Sequence, residues 1–332
     1  MIGRSSYRVT VLRQLGGIGD LLMLSPVFLG LKEKYGKRCR VTVATSWDYK
    51  AGCLPLLLKG NPHIDHVTRV EPWEFAPFLL RYNRREYWNV PTDSPPHCVQ
   101  DADLVCDLNV CCAIRESQQQ PKVRDHRTDI WCEAAGVQPS SRKPILRLFK
   151  EELQEGREWC DSYLGDGVRV GVVLDALSPF RVWPQEYCQP FAQELVRMGY
   201  RVMTLDATKK IPGVIPCVGK NIRQVAAVIA HLDALVAHDT GLLHVAGALG
   251  TPVLGLFGST DGAIRMREYA GHYTVAKNII PCAPCWYLQP CMKEMDERKH
   301  IACMHRIQPE MVLHELEIML ERFGVELPYR RS

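Results

Sequence analysis

The fold is decided by residues 236–260, Val236-Ala-His-Asp-Thr-Gly-Leu-Leu-His-Val-Ala-Gly-Ala-Leu-Gly-Thr-Pro-Val-Leu-Gly-Leu-Phe-Gly-Ser-Thr260. The apolar run that leads in, Ala234 to Ala237, is of the kind that fills a buried strand. His238-Asp239-Thr240-Gly241 follows, and Asp or Thr is a preferred helix N-cap. Leu242 to Leu249 repeat apolar side chains at helical spacing, and Gly250 and Pro252 stop the helix. Val253 to Phe257 is a second apolar run. A strand, a short helix and a strand within about 25 residues make a parallel α/β unit.

The start of that helix has a chemical use. Its unpaired backbone N–H groups and its dipole, about half a positive charge, favour a phosphate. Ligands of open α/β sheets gather at the carboxyl ends of the strands, which is where this helix begins. Gly241 lets a ligand approach the backbone, Thr240 offers a hydroxyl, and His244 lies one turn on along the same face. Together they suit a diphosphate. The same residues also suit a plain buried helix capped by Asp239, with a core histidine, and spacing alone leaves both readings open.

Outward from this stretch the pattern repeats. Val168 to Leu174 and Arg201 to Leu205 read as strands, Gln185 to Met198 and Asn221 to Leu232 as helices. Asp206 ends the second of these strands, where a ribose hydroxyl would be met. Pro309 to Phe323 is a final amphipathic helix, expected to pack back across a domain junction. Gln138 to Pro144 is rich in Ser, Pro and basic residues, and Gly165-Asp-Gly167 breaks the chain. These features predict two domains, 1–150 and 151–332.

In the first domain Tyr7 to Leu12 reads as a strand, Leu21 to Lys34 as a helix and Arg40 to Ala44 as a strand, joined through the glycine-rich turn Arg13-Gln-Leu-Gly-Gly-Ile-Gly-Asp20. Gly17 and Gly19 match two glycines of the dinucleotide fingerprint. The third place holds Leu22, which disfavours an NAD-type oxidoreductase. The turn otherwise brings backbone close to a substrate and presents Asp20 at the helix start. Asp20 equally suits a helix cap.

Bulk properties set limits. The chain has 332 residues, 46% hydrophobic and 23% charged, with a net charge of +4. That is a soluble globular composition of two ordinary domains, and its weak charge does not argue for nucleic acid as partner. No apolar run reaches the roughly 18 residues of a membrane span, and the first residues lack a signal-peptide pattern, so a cytoplasmic protein is expected. Ten of the 14 cysteines are scattered, as at Cys106, Cys188 and Cys217, and read as small core residues. Glu71 to Trp88 mixes aromatics and arginines and suits either an anionic acceptor or a solvated helix. The last four cysteines, Cys282, Cys285, Cys291 and Cys303, are spaced C-x2-C-x5-C-x11-C. Such thiolates suit tetrahedral zinc or iron, while free thiols or a disulfide stay open.

Asp239-Thr-Gly-Leu-Leu-His244-Val-Ala246, with Gly250-Thr-Pro252 and Leu256-Phe-Gly258-Ser-Thr260-Asp261, resembles the donor-binding signature of family 9 glycosyltransferases, the bacterial heptosyltransferases. Arg13 to Pro26 resembles that family's N-terminal motif. Ser178-Pro-Phe-Arg181-Val-Trp183-Pro184 resembles its lysine-x-tryptophan-proline motif, with Arg181 in the lysine's place. The resemblance implies a GT-B architecture, two Rossmann-like domains facing across a cleft. It implies an inverting transfer of a sugar, heptose from ADP-heptose, onto a hydroxyl such as that of lipopolysaccharide core. Asp20 would be the general base. Arg181, Asp206, Asp239, Thr240, Gly241 and His244 would hold the donor, and Arg13, Gly17 and Gly19 would serve the acceptor side. No cofactor is needed for that chemistry. Similar cysteines, followed by a segment like Ile307-Gln-Pro-Glu310, recur in the family; protein-modifying members that resemble this chain hold iron with such cysteines, and others are not known to need metal. The expected partners are a nucleotide-sugar donor and a glycolipid or protein acceptor, with at most peripheral contact at the inner face of a membrane. A protein O-heptosyltransferase and a non-catalytic nucleotide- or metal-binding protein are the alternatives.

Overall fold

A computed structural model describes residues 6–13, 16–45, 53–69, 101–173, 179–205, 211–269, 271, 273–276, 280–286 and 301–330. The aromatic-basic stretch 71–88, Asp206 and Cys291 lie outside the described residues. The chain divides into two compact units, Met1–Gln118 with Asp125–Arg147, and Gln119–Arg124 with Leu148–Ser332.

The first unit is built on a parallel sheet of β1 (Tyr7–Leu12), β2 (Cys39–Thr45), β3 (His66–Arg69) and β4 (Leu104–Asp107), in the order β3-β2-β1-β4. Tyr7 pairs with Cys39 and Leu12 with Ala44, while Leu12 also pairs with Asp107. Helix α1 (Ile18–Tyr35) links β1 to β2 and is buried nearly all round from Ile18 to Leu31. An all-round apolar helix belongs inside, which is why its sequence lacks a strong amphipathic stripe. Pro26 sits inside it and cannot bond the carbonyl of Leu22. The Ser25 hydroxyl donates to that carbonyl at 2.7 Å instead. The described residues of the unit also form three shorter helices: α2 (Cys53–Leu58), α3 (Cys111–Gln119) and α4 (Arg127–Ala134). Helix α4 starts at Arg127 because His126 takes the cap and accepts from the Thr128 N–H at 3.2 Å.

The second unit carries β5 (Arg169–Val172), β6 (Arg201–Thr204), β7 (Ile215–Pro216), β8 (Ala234–His238), β9 (Val253–Leu256) and β10 (Tyr273–Ala276), all parallel, in the order β10-β9-β8-β5-β6-β7. Central β8 is buried at every residue, as a strand covered on both faces must be. Its helices are α5 (Lys150–Tyr163), α6 (Gln185–Arg197), α7 (Ile222–Ile229), α8 (Gly241–Leu249), α9 (Gly262–Met266), α10 (Ala302–His305) and α11 (Pro309–Arg322). The core gathers Trp183, Phe191, Val236, Leu254, Met304 and Leu316. Val312, Leu316, Met319 and Leu320 of α11 are buried, and the helix packs on α6 and on strands β8, β9 and β10 of its own unit.

Counted from β5, the second sheet runs 3-2-1-4-5-6, and the first runs 3-2-1-4 counted from β1. Each therefore reverses direction once, at β1/β4 and at β5/β8. Crevices form at the carboxyl ends of strands at such reversals. Among the described residues, no helix is long and apolar enough to cross a membrane.

Candidate functional site

At the first reversal Arg13 leaves β1 and is 5% exposed. Its Nη1 donates to the carbonyls of Leu108 and Asn109, just past β4, at 2.9 and 2.6 Å. The guanidinium thus ties together the ends of the two strands, and it lies over the Trp131 ring at 5.0 Å. Gly16 makes this possible. Its φ is +106°, and a Cβ there would lie 2.4 Å from Arg13 Nη2 and 2.6 Å from Asp20 Oδ2. The sequence directs attention to Gly17 and Gly19, but the steric demand falls on Gly16. Gly17 contributes its N–H, which donates to Asp20 Oδ2 at 3.0 Å. Gly19 is buried in the first turn of α1.

Asp20 sits between two guanidiniums. Its Oδ1 accepts from Arg127 Nη1, and its Oδ2 is 3.8 Å from Arg13 Nη2. Arg127 also clamps Glu116 with two bonds of 2.7 and 2.8 Å. Burial alone would raise the Asp20 pKa, but the charges of Arg127 and then Arg13 overcome it and hold the carboxyl well below the usual range. Asp20 is therefore ionised at neutral pH and weakly basic as long as Arg127 holds it. Neither Arg127 nor Glu116 is singled out by the sequence, because their link to Asp20 runs through tertiary structure.

At the second reversal Arg181, from a single helical turn after β5, donates to the carbonyl of Asp239 after β8 at 2.9 Å. Its Nη1 is also 3.6 Å from the Asp239 carboxylate. Asp239 is 5% exposed and accepts from the Thr260 hydroxyl at 2.8 Å. Burial pushes its pKa up. Arg181, Arg265, His244 and the Thr260 bond together hold it below the ordinary value. The sequence offers Asp239 or Thr240 as cap of α8. Thr240 takes that place without a side-chain cap bond, and its buried Oγ1 has no partner among the described residues. Gly241 is the first helical residue, so the orphan N–H groups of the first turn lie here. His244 is 3% exposed, with Nδ1 3.0 Å from the Tyr269 hydroxyl. Its Nε2 is 3.9 Å from Asp239 Oδ1, too far for a hydrogen bond. Buried Arg265 stacks 4.5 Å over the Trp286 ring, and the backbone N–H of Trp286 donates to the Ser259 carbonyl at 2.8 Å. Trp286 thereby packs on an arginine that acts on Asp239, a connection that nothing in the sequence signals.

The cysteines are less convergent. Cys285 and Cys303 are buried and Cys282 is half-buried. Cys303 packs under Gly258, where a Cβ would come within 2.6 Å of its sulfur. Among the described residues, no three His, Cys, Asp or Glu side chains gather as a metal-holding group. Cys282, Cys285 and Cys303 therefore do not by themselves provide the tetrahedral thiolate set that their spacing suggests.

A family model for glycosyltransferase family 9 (heptosyltransferase) matches residues 108–295, and the chain belongs to that family. It is 30% identical over 159 residues to lipopolysaccharide heptosyltransferase 1 of Pseudomonas aeruginosa, covering 42% of this chain and 44% of that relative. The aligned region spans less than half the length of that curated relative. The structure of E. coli ADP-heptose LPS heptosyltransferase II matches with a TM-score of 0.63 at 17% identity, over 96% of this chain and all of that one. An iron-containing dodecameric glycosyltransferase from enterotoxigenic E. coli matches with a TM-score of 0.65 at 16% identity, over 96% of this chain and 77% of that one. At such identity the likeness is one of fold, the GT-B type with two parallel α/β sheets. The family match contains the second reversal whole and begins beyond Asp20.

Proposed function

We propose that this glycosyltransferase transfers heptose from ADP-heptose, with inversion, to a hydroxyl of an anionic glycolipid such as lipopolysaccharide core. The observation that carries this reading is the charge balance at the second reversal. Two guanidiniums, Arg181 and Arg265, act on the Asp239 carboxylate, which directly precedes the Thr240 cap of α8. In the reading, the donor's diphosphate lies on the Thr240 and Gly241 amides. Arg181 and His244 balance the charge that grows on the departing nucleotide, a role that fixed donors perform without reorganising. Asp206 would meet the ribose. Arg181 replaces the ammonium of the family motif with a planar fork suited to two phosphate oxygens.

Asp20 takes the proton of the attacking hydroxyl in this reading. Each of its oxygens keeps a second lone pair beside the bond it already accepts. The hydroxyl would enter there, and as Arg127 turned towards Glu116 the carboxylate would gain basicity. Arg13, Gly17 and Gly19 support this side. The work is cytoplasmic, and membrane contact comes through the lipid acceptor alone. The chemistry calls on no cofactor. A structural iron or zinc on Cys282, Cys285, Cys291 and Cys303 draws only on their spacing and on the iron of one structural relative, and metal analysis of purified protein against Cys285→Ser decides it.

The test is calorimetric titration with ADP, UDP, GDP and CDP. Selective ADP binding that weakens in His244→Ala supports the donor assignment. Preference for UDP or GDP keeps the transferase and discards the heptose. Labelling of a peptide rather than a lipid acceptor would make the chain a protein O-heptosyltransferase. No nucleotide binding would favour the non-catalytic alternative.

A further inference from the structure

We infer that Tyr269 is a positioning residue that fixes the tautomer of His244, keeping the ring proton on Nε2 so that the imidazole meets a nucleotide diphosphate as a hydrogen-bond donor. The part concerning the diphosphate rests on the function proposed above; the tautomer does not.

Tyr269 closes the single turn that follows α9 and is 1% exposed. Its ring lies against α8 at Gly247, where a Cβ would come within 2.6 Å of it. The glycine thus lets the tyrosine reach the buried side of His244. The hydroxyl stands 3.0 Å from Nδ1. Among the described residues it has no other hydrogen-bond partner.

Two arrangements satisfy that distance. In one, the tyrosine O–H donates to an unprotonated Nδ1, and the ring proton is on Nε2. In the other, Nδ1–H donates to the hydroxyl oxygen, and the tyrosine proton is left buried without an acceptor. An unsatisfied buried donor is costly, so the first arrangement prevails. Ionising the tyrosine would remove the conflict, but burial pushes its pKa well above the ordinary value. The other side of the ring agrees. Nε2 faces the Asp239 carboxylate at 3.9 Å, and an anion there favours N–H over a lone pair. A histidine so held shows a donor towards a phosphate oxygen, and its orientation is set by the group on the opposite nitrogen.

The experiment is long-range proton–nitrogen correlation on the full chain labelled with 15N-histidine, at a pH where the imidazole is neutral. His244→Gln identifies the His244 signals by their loss. The wild-type spectrum is expected to show a protonated Nε2 and an unprotonated Nδ1. Tyr269→Phe keeps the ring against Gly247 and is expected to give a mixture of tautomers, with ADP affinity reduced about three- to tenfold. A protonated Nδ1 in the wild type overturns the inference, and so does an unchanged tautomer in Tyr269→Phe. The wild-type spectrum decides the matter even where the variant folds poorly. If ADP binds neither protein while the tautomers behave as described, the function proposed above fails and this assignment stands.

Discussion

At the β1/β4 reversal Arg13 donates to carbonyls beyond β4, and at the β5/β8 reversal Arg181 donates to a carbonyl beyond β8. The two arginines tie equivalent loops together, yet their surroundings differ. In the first unit Arg13 and Arg127 face Asp20 and Glu116, so the charges cancel. The Arg13 side chain is 6% exposed there. In the second unit Arg181 and Arg265 both act on Asp239, and the Arg181 side chain is 33% exposed. One topological position has been built as a closed ion network around a carboxylate. The other has been built as an open cationic place beside a helix N-terminus. The first suits a group that must hold a carboxylate at a fixed point, and the second suits an anion arriving from outside.

The largest effect expected from this contrast is on turnover. Asp20→Asn keeps the shape of the side chain and removes its charge. Sugar transfer should fall by about 10²- to 10⁴-fold, the usual contribution of a general base, with ADP affinity unchanged. Retention of full activity would reduce the first reversal to a structural ion network. Arg181→Met should do the converse. Charge-assisted bonds contribute about 1.5–3 kcal/mol, so ADP should bind roughly ten- to a hundredfold more weakly. Arg181→Lys should recover part of the loss, and the melting temperature should hardly move. An equal loss of thermal stability in Arg181→Met would show that the second reversal is closed like the first.

The two units also differ in how far they could be read from sequence. The second was legible because Ala234 to Ala237 is a continuous apolar run and Gly241 to Leu249 keeps helical spacing, both local signals. Asp239, Thr240, Gly241 and His244 came with that reading because they are neighbours in the chain, whereas Arg181 came only from the resemblance to the family motif. The strand β7 carries only two residues, too few for a period to register. The first unit gave up Asp20 and missed its partners. Arg127 reaches Asp20 across about a hundred residues of chain and brings Glu116 with it, and nothing in their own neighbourhoods marks them. Tyr269 was missed for the same reason, since its signal is the absence of a side chain at Gly247.

Gly16 offers a smaller and sharper test of the closed network. Gly16→Ala introduces a Cβ where Arg13 and Asp20 already lie, at a φ that L-residues rarely adopt. Gly36 has φ +77° with no atom near its would-be Cβ. Gly36→Ala should therefore show backbone strain alone, about 1 kcal/mol. Gly16→Ala should cost clearly more and lower turnover as well, measured by denaturant midpoint and by transfer rate. Equal costs at both positions would mean that the turn yields easily and that the network is loosely held.

The smallest effect is on acid stability, and its sign follows from the carboxylates. Asp20 and Asp239 both have folded-state pKa values below their unfolded ones. A group of that kind stabilises the fold above its unfolded pKa, near 3.9, and the contribution is lost as pH falls from there towards the folded value. The denaturant midpoint of the wild type should thus decline between about pH 5 and pH 3. In Asp20→Asn there is no such carboxylate to protonate, so its midpoint should fall less steeply and the two curves should converge in acid. Asp239→Asn should converge in the same direction, because Arg181 and Arg265 hold the Asp239 carboxyl below its ordinary value as Arg127 and Arg13 hold that of Asp20. Parallel curves for Asp20→Asn and wild type would show that the carboxylate is not ion-paired in solution. The closed network would then be open, and the two reversals would differ in position but not in kind.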